Sequence, residues 1–222
     1  MSASSDKPGS QPGAVVENPW RRLREFTDAR IGLGRAGISL PTSELLAFQL
    51  SHAQARDAVH LPLDIDALCH DLAADAQLAA LGEPIRLHSQ AVDRMTYLQR
   101  PDLGRVLDDA SRERLVELGC EQPSDLAVVI VDGLSSRAIA QNAVPFLQHL
   151  VGLLVTELPG CSLAPLTVVE QGRVAIGDDV GALLNARTVL LLVGERPGLS
   201  SPDSLGLYLT WAPKPGLTDA AR

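Results

Sequence analysis

The chain has 222 residues, 45% of them hydrophobic, 21% charged and only 3% aromatic, and a formal net charge of −8. This length fits one large domain or two small ones, and the ordinary apolar fraction fits a core built from Leu, Val, Ile and Ala. The acidic balance excludes nucleic acid as a partner, because phosphate backbones demand a basic footprint. Neither a basic amphipathic stretch nor an uninterrupted apolar run near the ~20 residues of a bilayer span points to a membrane.

Taken in chain order, the first sixteen residues, beginning MSASSDKPGSQPG, read as a disordered tail. They lack the apolar segment of a secretory signal. In NPWRRLREFTDARI, Asn18 is placed to cap a helix that starts at Pro19. Gly32 to Gly37 spell a literal G-x-G-x-x-G. A dinucleotide site would need a hydrophobic strand before that motif and a helix opening from it. Thr27-Asp28-Ala29-Arg30 precede it and Pro41 follows, so it reads as a glycine-rich loop between helices.

PTSELLAFQLSHAQARDAVHL places Leu46, Leu50 and Ala53 at i, i+4 and i+7, a helical stripe widened by Leu45 and Phe48. DIDALCHDLAADAQLAALG repeats the pattern and stops at Gly82. The segment Ile85–Leu87 is the one short strand candidate in this half, and RPDLGRVLDDASRERLVEL closes it with another helix.

From Pro123 the texture changes. SDLAVVIVDG, LAPLTVVEQGR, RTVLLLVGER and LGLYLTWAP read as strands. The helices SRAIAQNAVPFLQHLVGLLVTEL and IGDDVGALLNA lie between the first three. Strands alternating with helices of this length predict a doubly wound, mainly parallel α/β sheet. The expected layout is a helical N-terminal region over 17–122, followed by an α/β domain over 123–222.

Cys69, Cys120 and Cys161 are odd in number and far apart, so neither a disulfide framework nor a zinc site is expected, and the cytoplasm is the simplest compartment. His52, His60, His70, His88 and His149 form no ligand spacing. Ser135 and Ser200 follow Gly-Leu without completing G-x-S-x-G. What remains is positional. Three strands end in Asp132-Gly133, in Glu170-Gln171-Gly172-Arg173-Val174 and in Gly194-Glu195-Arg196. In a parallel sheet these ends share one edge, where open α/β sheets bind ligands. Residue types alone leave two readings open: a ligand edge, or ordinary loop caps.

Five stretches carry a family likeness: ARIGLGRAGISLPT, RPDLGR, DGLSS, EQGRVAIGDDVG and VGERPGLSSPDSLGLYLTWAP. With them the chain resembles the small (light) subunit of ethanolamine ammonia-lyase over roughly residues 17–222. The resemblance implies a hetero-oligomer in which a large TIM-type barrel subunit binds ethanolamine. It also implies that the small subunit's Rossmann-like domain covers part of adenosylcobalamin. Cleavage of the cobalt–carbon bond would start a radical rearrangement to acetaldehyde and ammonia, with the hard chemistry left to the cofactor.

By the same likeness this subunit carries no catalytic acid or base and no metal ligand, and D-x-H-x-x-G is absent from the sequence. The matching cofactor contacts are Val174 and Glu195, with Arg173 and Gly194 beside them. A carboxylate suits the amide N–H groups on a corrin rim. Pro197 and Pro202 would stiffen the loop beyond Glu195. The family carries a further contact, a cysteine, in a segment after TDAAR, so either the chain is C-terminally truncated or this protein does without that contact and the closing helix. The enzyme would work in the cytoplasm, free or inside a bacterial microcompartment. The alternative is a non-catalytic α/β binding or scaffold protein derived from this family.

Overall fold

The structure is a computed structural model, described here for residues 15–195, 198–218 and 220. The chain divides into two compact units, one ending at Gln54 and the other beginning at Ala55.

In the first unit, a 3-10 helix spans Pro19–Glu25, and the Asn18 side chain accepts a hydrogen bond from the Trp20 amide at 2.9 Å, as its position at the cap requires. Gly32, Gly34 and Gly37 take positive φ, and Arg35 forms an isolated antiparallel bridge with Val16. Among the described residues no strand precedes this glycine run, and the next helix starts only at Thr42, so the run is a turn. Helix α1, Thr42–His60, begins here and runs past the boundary between the units. Arg24 pairs with Glu44 at 2.8 Å. Among the described residues of this unit only Pro41 is buried.

The second unit is an α/β structure on one five-stranded mixed sheet. Its strands are β1 (Ile85–His88), β2 (Ser124–Val131), β3 (Thr167–Glu170), β4 (Ala186–Gly194) and β5 (Leu205–Trp211), in the order β1-β3-β2-β4-β5. The first four run parallel, and β5 returns antiparallel to β4. Its helices are α2 (Ile65–Ala74), α3 (Ala76–Ala79), α4 (Arg94–Gln99), α5 (Asp109–Glu117), α6 (Ser136–Glu157) and α7 (Ile176–Leu183).

Three departures from the expected layout have local causes. The apolar pattern over 64–82 predicts one helix, but Asp75 breaks it into α2 and α3. Asp75 takes an extended conformation, and its carboxylate accepts from the amides of Gln77 and Leu78 at 2.9 and 3.0 Å. A short acidic side chain satisfies the start of a new helix better than it continues an old one. Helix α4, unforeseen, is six residues long, capped by Asp93 and closed by Arg100, with Pro101 next. The helical region expected to run to residue 122 is not one body. β1 lies inside it and pairs with β3, while α2, α3 and α5 pack onto the sheet, so the compact unit starts at Ala55 instead.

Strand alternation builds two dry layers. Val128 and Ile130 of β2 face one side with Val168 and Leu192, against α2, α3 and α6. Ala127, Val129 and Val131 face the other with Val169, Leu191 and Val193, against α5 and α7. Helix α6 is long and apolar enough to cross a membrane by length and composition. Here its stripe Ile139, Ala143, Leu147 and Val151, at four-residue spacing, is buried against the sheet, and Pro145 sits inside the helix.

Candidate functional site

The carboxyl ends of β2, β3 and β4 come together on one edge, as a parallel sheet requires. Helix α6 follows β2 onto one face and α7 follows β3 onto the other, so neighbouring strand ends part. A cleft of about 370 Å³ opens there. Its apolar wall is Leu134, Val174, Ala175 and Val193, and its polar groups come from Tyr97, Arg105, Arg173, Glu195 and Tyr208.

Of the residues expected to touch a ligand, Arg173, Val174 and Glu195 line this cleft. Gly194 does not; it is a packing residue behind the lining. A side chain there would collide with the Ser135 carbonyl oxygen, and the Ser135 amide donates to the Gly194 carbonyl at 2.8 Å. Gly133, at φ 60°, is tight against the same strand end, where a Cβ would strike the Gly194 carbonyl. Two glycines therefore let the β2 and β4 ends touch backbone to backbone.

The turn that carries Arg173 and Val174 is held from below by Asp132. This carboxylate is 1% exposed. It accepts from the amides of Gly133, Gln171 and Gly172 at 2.8, 3.0 and 3.1 Å. Gln171 pays for the sharp reversal with a positive φ of 54°. Arg94 lies 3.5 Å from Asp132 and donates to the carbonyls of Gly133 and Val59, both at 2.7 Å. Burial pushes the Asp132 carboxyl up to about 6, against the downward pull of Arg94 and the three amides.

Arg173 donates to the Tyr97 carbonyl at 3.0 Å, and its guanidinium stands 4.4 Å from the centre of the Tyr97 ring; that of Arg94 stands at 4.8 Å. Tyr97 is 1% exposed, and burial together with the Asp132 charge raises its hydroxyl well above the ordinary value. One nitrogen of each guanidinium, Arg173 Nε and Arg94 Nη2, is buried without an acceptor. Buried donors without a partner are uncommon in native structures.

On the opposite wall, the Tyr208 hydroxyl donates to Glu195 Oε2. The loop beyond Glu195 is tied to α6: Ser135, which caps that helix, donates to the Pro202 carbonyl at 2.6 Å, and Asn142 donates to the Asp203 carbonyl at 2.9 Å. Ser135 is thus a cap and an anchor. Arg196 and Pro197 lie outside the described residues.

Sequence reasoning missed six lining residues: Tyr97, Arg105, Leu134, Ala175, Val193 and Tyr208. Arg105 ends the RPDLGR stretch, Leu134 lies inside DGLSS, and Tyr208 lies inside the last quoted stretch, so each carried a signal. Tyr97 had none, because α4 was not foreseen.

Chemically, the site pairs an apolar wall with one carboxylate and two guanidinium side chains on the outer edge of a parallel sheet. The second unit is thus an α/β structure with a cleft at its parallel strand ends. Comparison with known proteins narrows the class. The family described as Ethanolamine ammonia-lyase light chain (EutC) matches residues 17–222. The chain is 54% identical over 213 residues to the ethanolamine ammonia-lyase small subunit of Pseudomonas aeruginosa, covering 95% of this chain and 76% of the relative. It is 53% identical over 221 residues to that of Ralstonia nicotianae (98% and 79%), and 54% identical over 215 residues to that of Azotobacter vinelandii (96% and 77%). The chain belongs to the ethanolamine ammonia-lyase light-chain family.

Proposed function

We propose that the chain is the small subunit of an adenosylcobalamin-dependent lyase that converts ethanolamine to acetaldehyde and ammonia together with a large TIM-type barrel subunit. We further propose that its cleft seats one edge of the cobalamin. The observation that carries this reading is that Arg173, Val174 and Glu195 meet in one cleft in a chain of this family.

The residues fit such a group. A corrin is an apolar plate fringed with amides. Val174 and Val193 offer apolar cover, Glu195 can accept from amide N–H groups, and Arg105 and Arg173 can donate to amide carbonyls. The Val174 carbonyl is already taken by the Gly177 amide at 3.2 Å, so the contribution of Val174 is mainly its side chain. Pockets of 300–1,000 Å³ enclose roughly drug-sized ligands, and a corrin with its nucleotide tail is far larger. A cleft of about 370 Å³ therefore takes an edge and leaves the remainder to a partner.

When bound, adenosylcobalamin supplies the radical chemistry. The task of this chain is to hold the rim, exclude water from it and keep its orientation. In this reading the sheet belongs to a Rossmann-like domain that faces the cofactor, and the enzyme works in the cytoplasm, free or inside a bacterial microcompartment.

Mixed with the large subunit and adenosylcobalamin, the full chain is expected to release acetaldehyde from ethanolamine. Glu195→Ala is expected to weaken cobalamin retention in the complex about tenfold, the scale of one charge-assisted contact, with the KM for ethanolamine unchanged. A lost ethanolamine affinity with normal cobalamin retention would overturn this division of labour.

A further inference from the structure

We infer that Tyr208 is a positioning residue for the cobalamin seat and acts through Glu195; this rests on the function proposed above. Glu195 is the first residue beyond the β4–β5 ladder, whose last pair is Gly194 with Leu205. No ladder bond holds its side chain, and a glutamate has three rotatable bonds to order before it can meet a ligand. Tyr208, by contrast, is inside the ladder, directly opposite Leu191. Strand alternation puts Leu191, Val193 and Glu195 on one face, so Tyr208 and Glu195 share that face. Leu191 and Val193 belong to the buried layer beside α7, and the Tyr208 ring packs against the same layer.

The ring is therefore fixed by packing, and its hydroxyl is delivered to a set point at the cleft wall. There it donates to Glu195 Oε2, and both residues line the cleft. The consequence is a division of the carboxylate: Oε2 is held by the tyrosine, and Oε1 is presented to the amide-bearing rim. A carboxylate ordered in advance loses less entropy on binding. Fixing it also holds an acceptor at one point of the cleft that Val174 lines, which favours an amide donor over a second carbonyl. A guanidinium at Arg173 serves the carbonyls instead, so the two walls read opposite ends of the same amide groups.

Tyr208→Phe removes the hydroxyl and keeps the ring in its layer. In the reconstituted complex with the large subunit, equilibrium dialysis of cyanocobalamin should show affinity lowered about tenfold for Tyr208→Phe. The unfolding midpoint and the KM for ethanolamine should not change. The double variant Tyr208→Phe/Glu195→Ala should bind no more weakly than Glu195→Ala alone, a coupling that a purely structural tyrosine would not give. Wild-type affinity for Tyr208→Phe beside a weakened Glu195→Ala would overturn the positioning role and leave the cofactor site standing. Full additivity would also overturn it, because Tyr208 would then act on the ligand directly. Wild-type affinity for both single variants would overturn the cofactor site itself.

Discussion

The two compact units use apolar residues in opposite ways. In the second, β2 and the last half of β4 are almost entirely buried, and their side chains alternate between two layers. In the first, Trp20, Phe26, Ile38 and Leu46 are exposed, and Phe26 is 84% exposed. The difference teaches where fold stability comes from. Burial of apolar area is the dominant favourable term in folding, so the second unit is held by its own core, whereas the first buries little apolar area. Three of the seven aromatic side chains of the whole chain, Trp20, Phe26 and Phe48, are on the unit that buries least.

The most forceful way to break this contrast is a cavity in the sheet. Ile130 is fully buried. Ile130→Ala is expected to cost about 2–5 kcal/mol in denaturant unfolding, because the packed layer cannot collapse onto the space left. A loss below about 1 kcal/mol would mean that this layer is loosely packed.

Asp132 tests the contrast at a charged point in the core. Its carboxyl has an ordinary value of 3.8 and is pushed up to about 6 by burial, so between those values the folded state binds more protons than the unfolded one. Stability from this group is therefore greatest at low pH, falls as pH rises from about 4 to 6, and is level above that. Subtracting the unfolding free energy of Asp132→Asn from that of the wild type should isolate this slope, since the other carboxylates cancel. A flat difference across the window would show that the three amides and Arg94 offset the burial.

The smallest effect belongs to the first unit. Phe26→Ala is expected to change the stability of the isolated chain by no more than about 0.5 kcal/mol, as for other exposed positions. A loss comparable to that of Ile130→Ala would mean that Phe26 supports a core, and the contrast between the units would fail.

Much of the second unit was legible because its local signals agree. Runs such as AVVIV and TVLLLV have no other stable use than a strand buried on both faces. Ser135 caps α6, and the glycine after β2 marks a turn. Legibility failed where a single polar residue outweighed a pattern, as Asp75 does between α2 and α3. It failed again where an element was too short to show a period, as with α4. The site followed the same rule. The strand-end residues Arg173, Val174 and Glu195 could be named from their place after apolar runs, while Tyr97 reaches the cleft from a six-residue helix distant in sequence.

The sequence by itself therefore determined the order of most elements, the direction of the central strands and the edge on which their ends meet, because hydrophobic period and turn chemistry are local properties. Only the tertiary structure decided that β1 inserts beside β3, that Gly194 packs rather than lines, and that Tyr208 meets Glu195. Those outcomes depend on which backbones come close enough to exclude a side chain and on which strand falls opposite which. Such distances are set by residues far apart in the chain and by no single stretch of it.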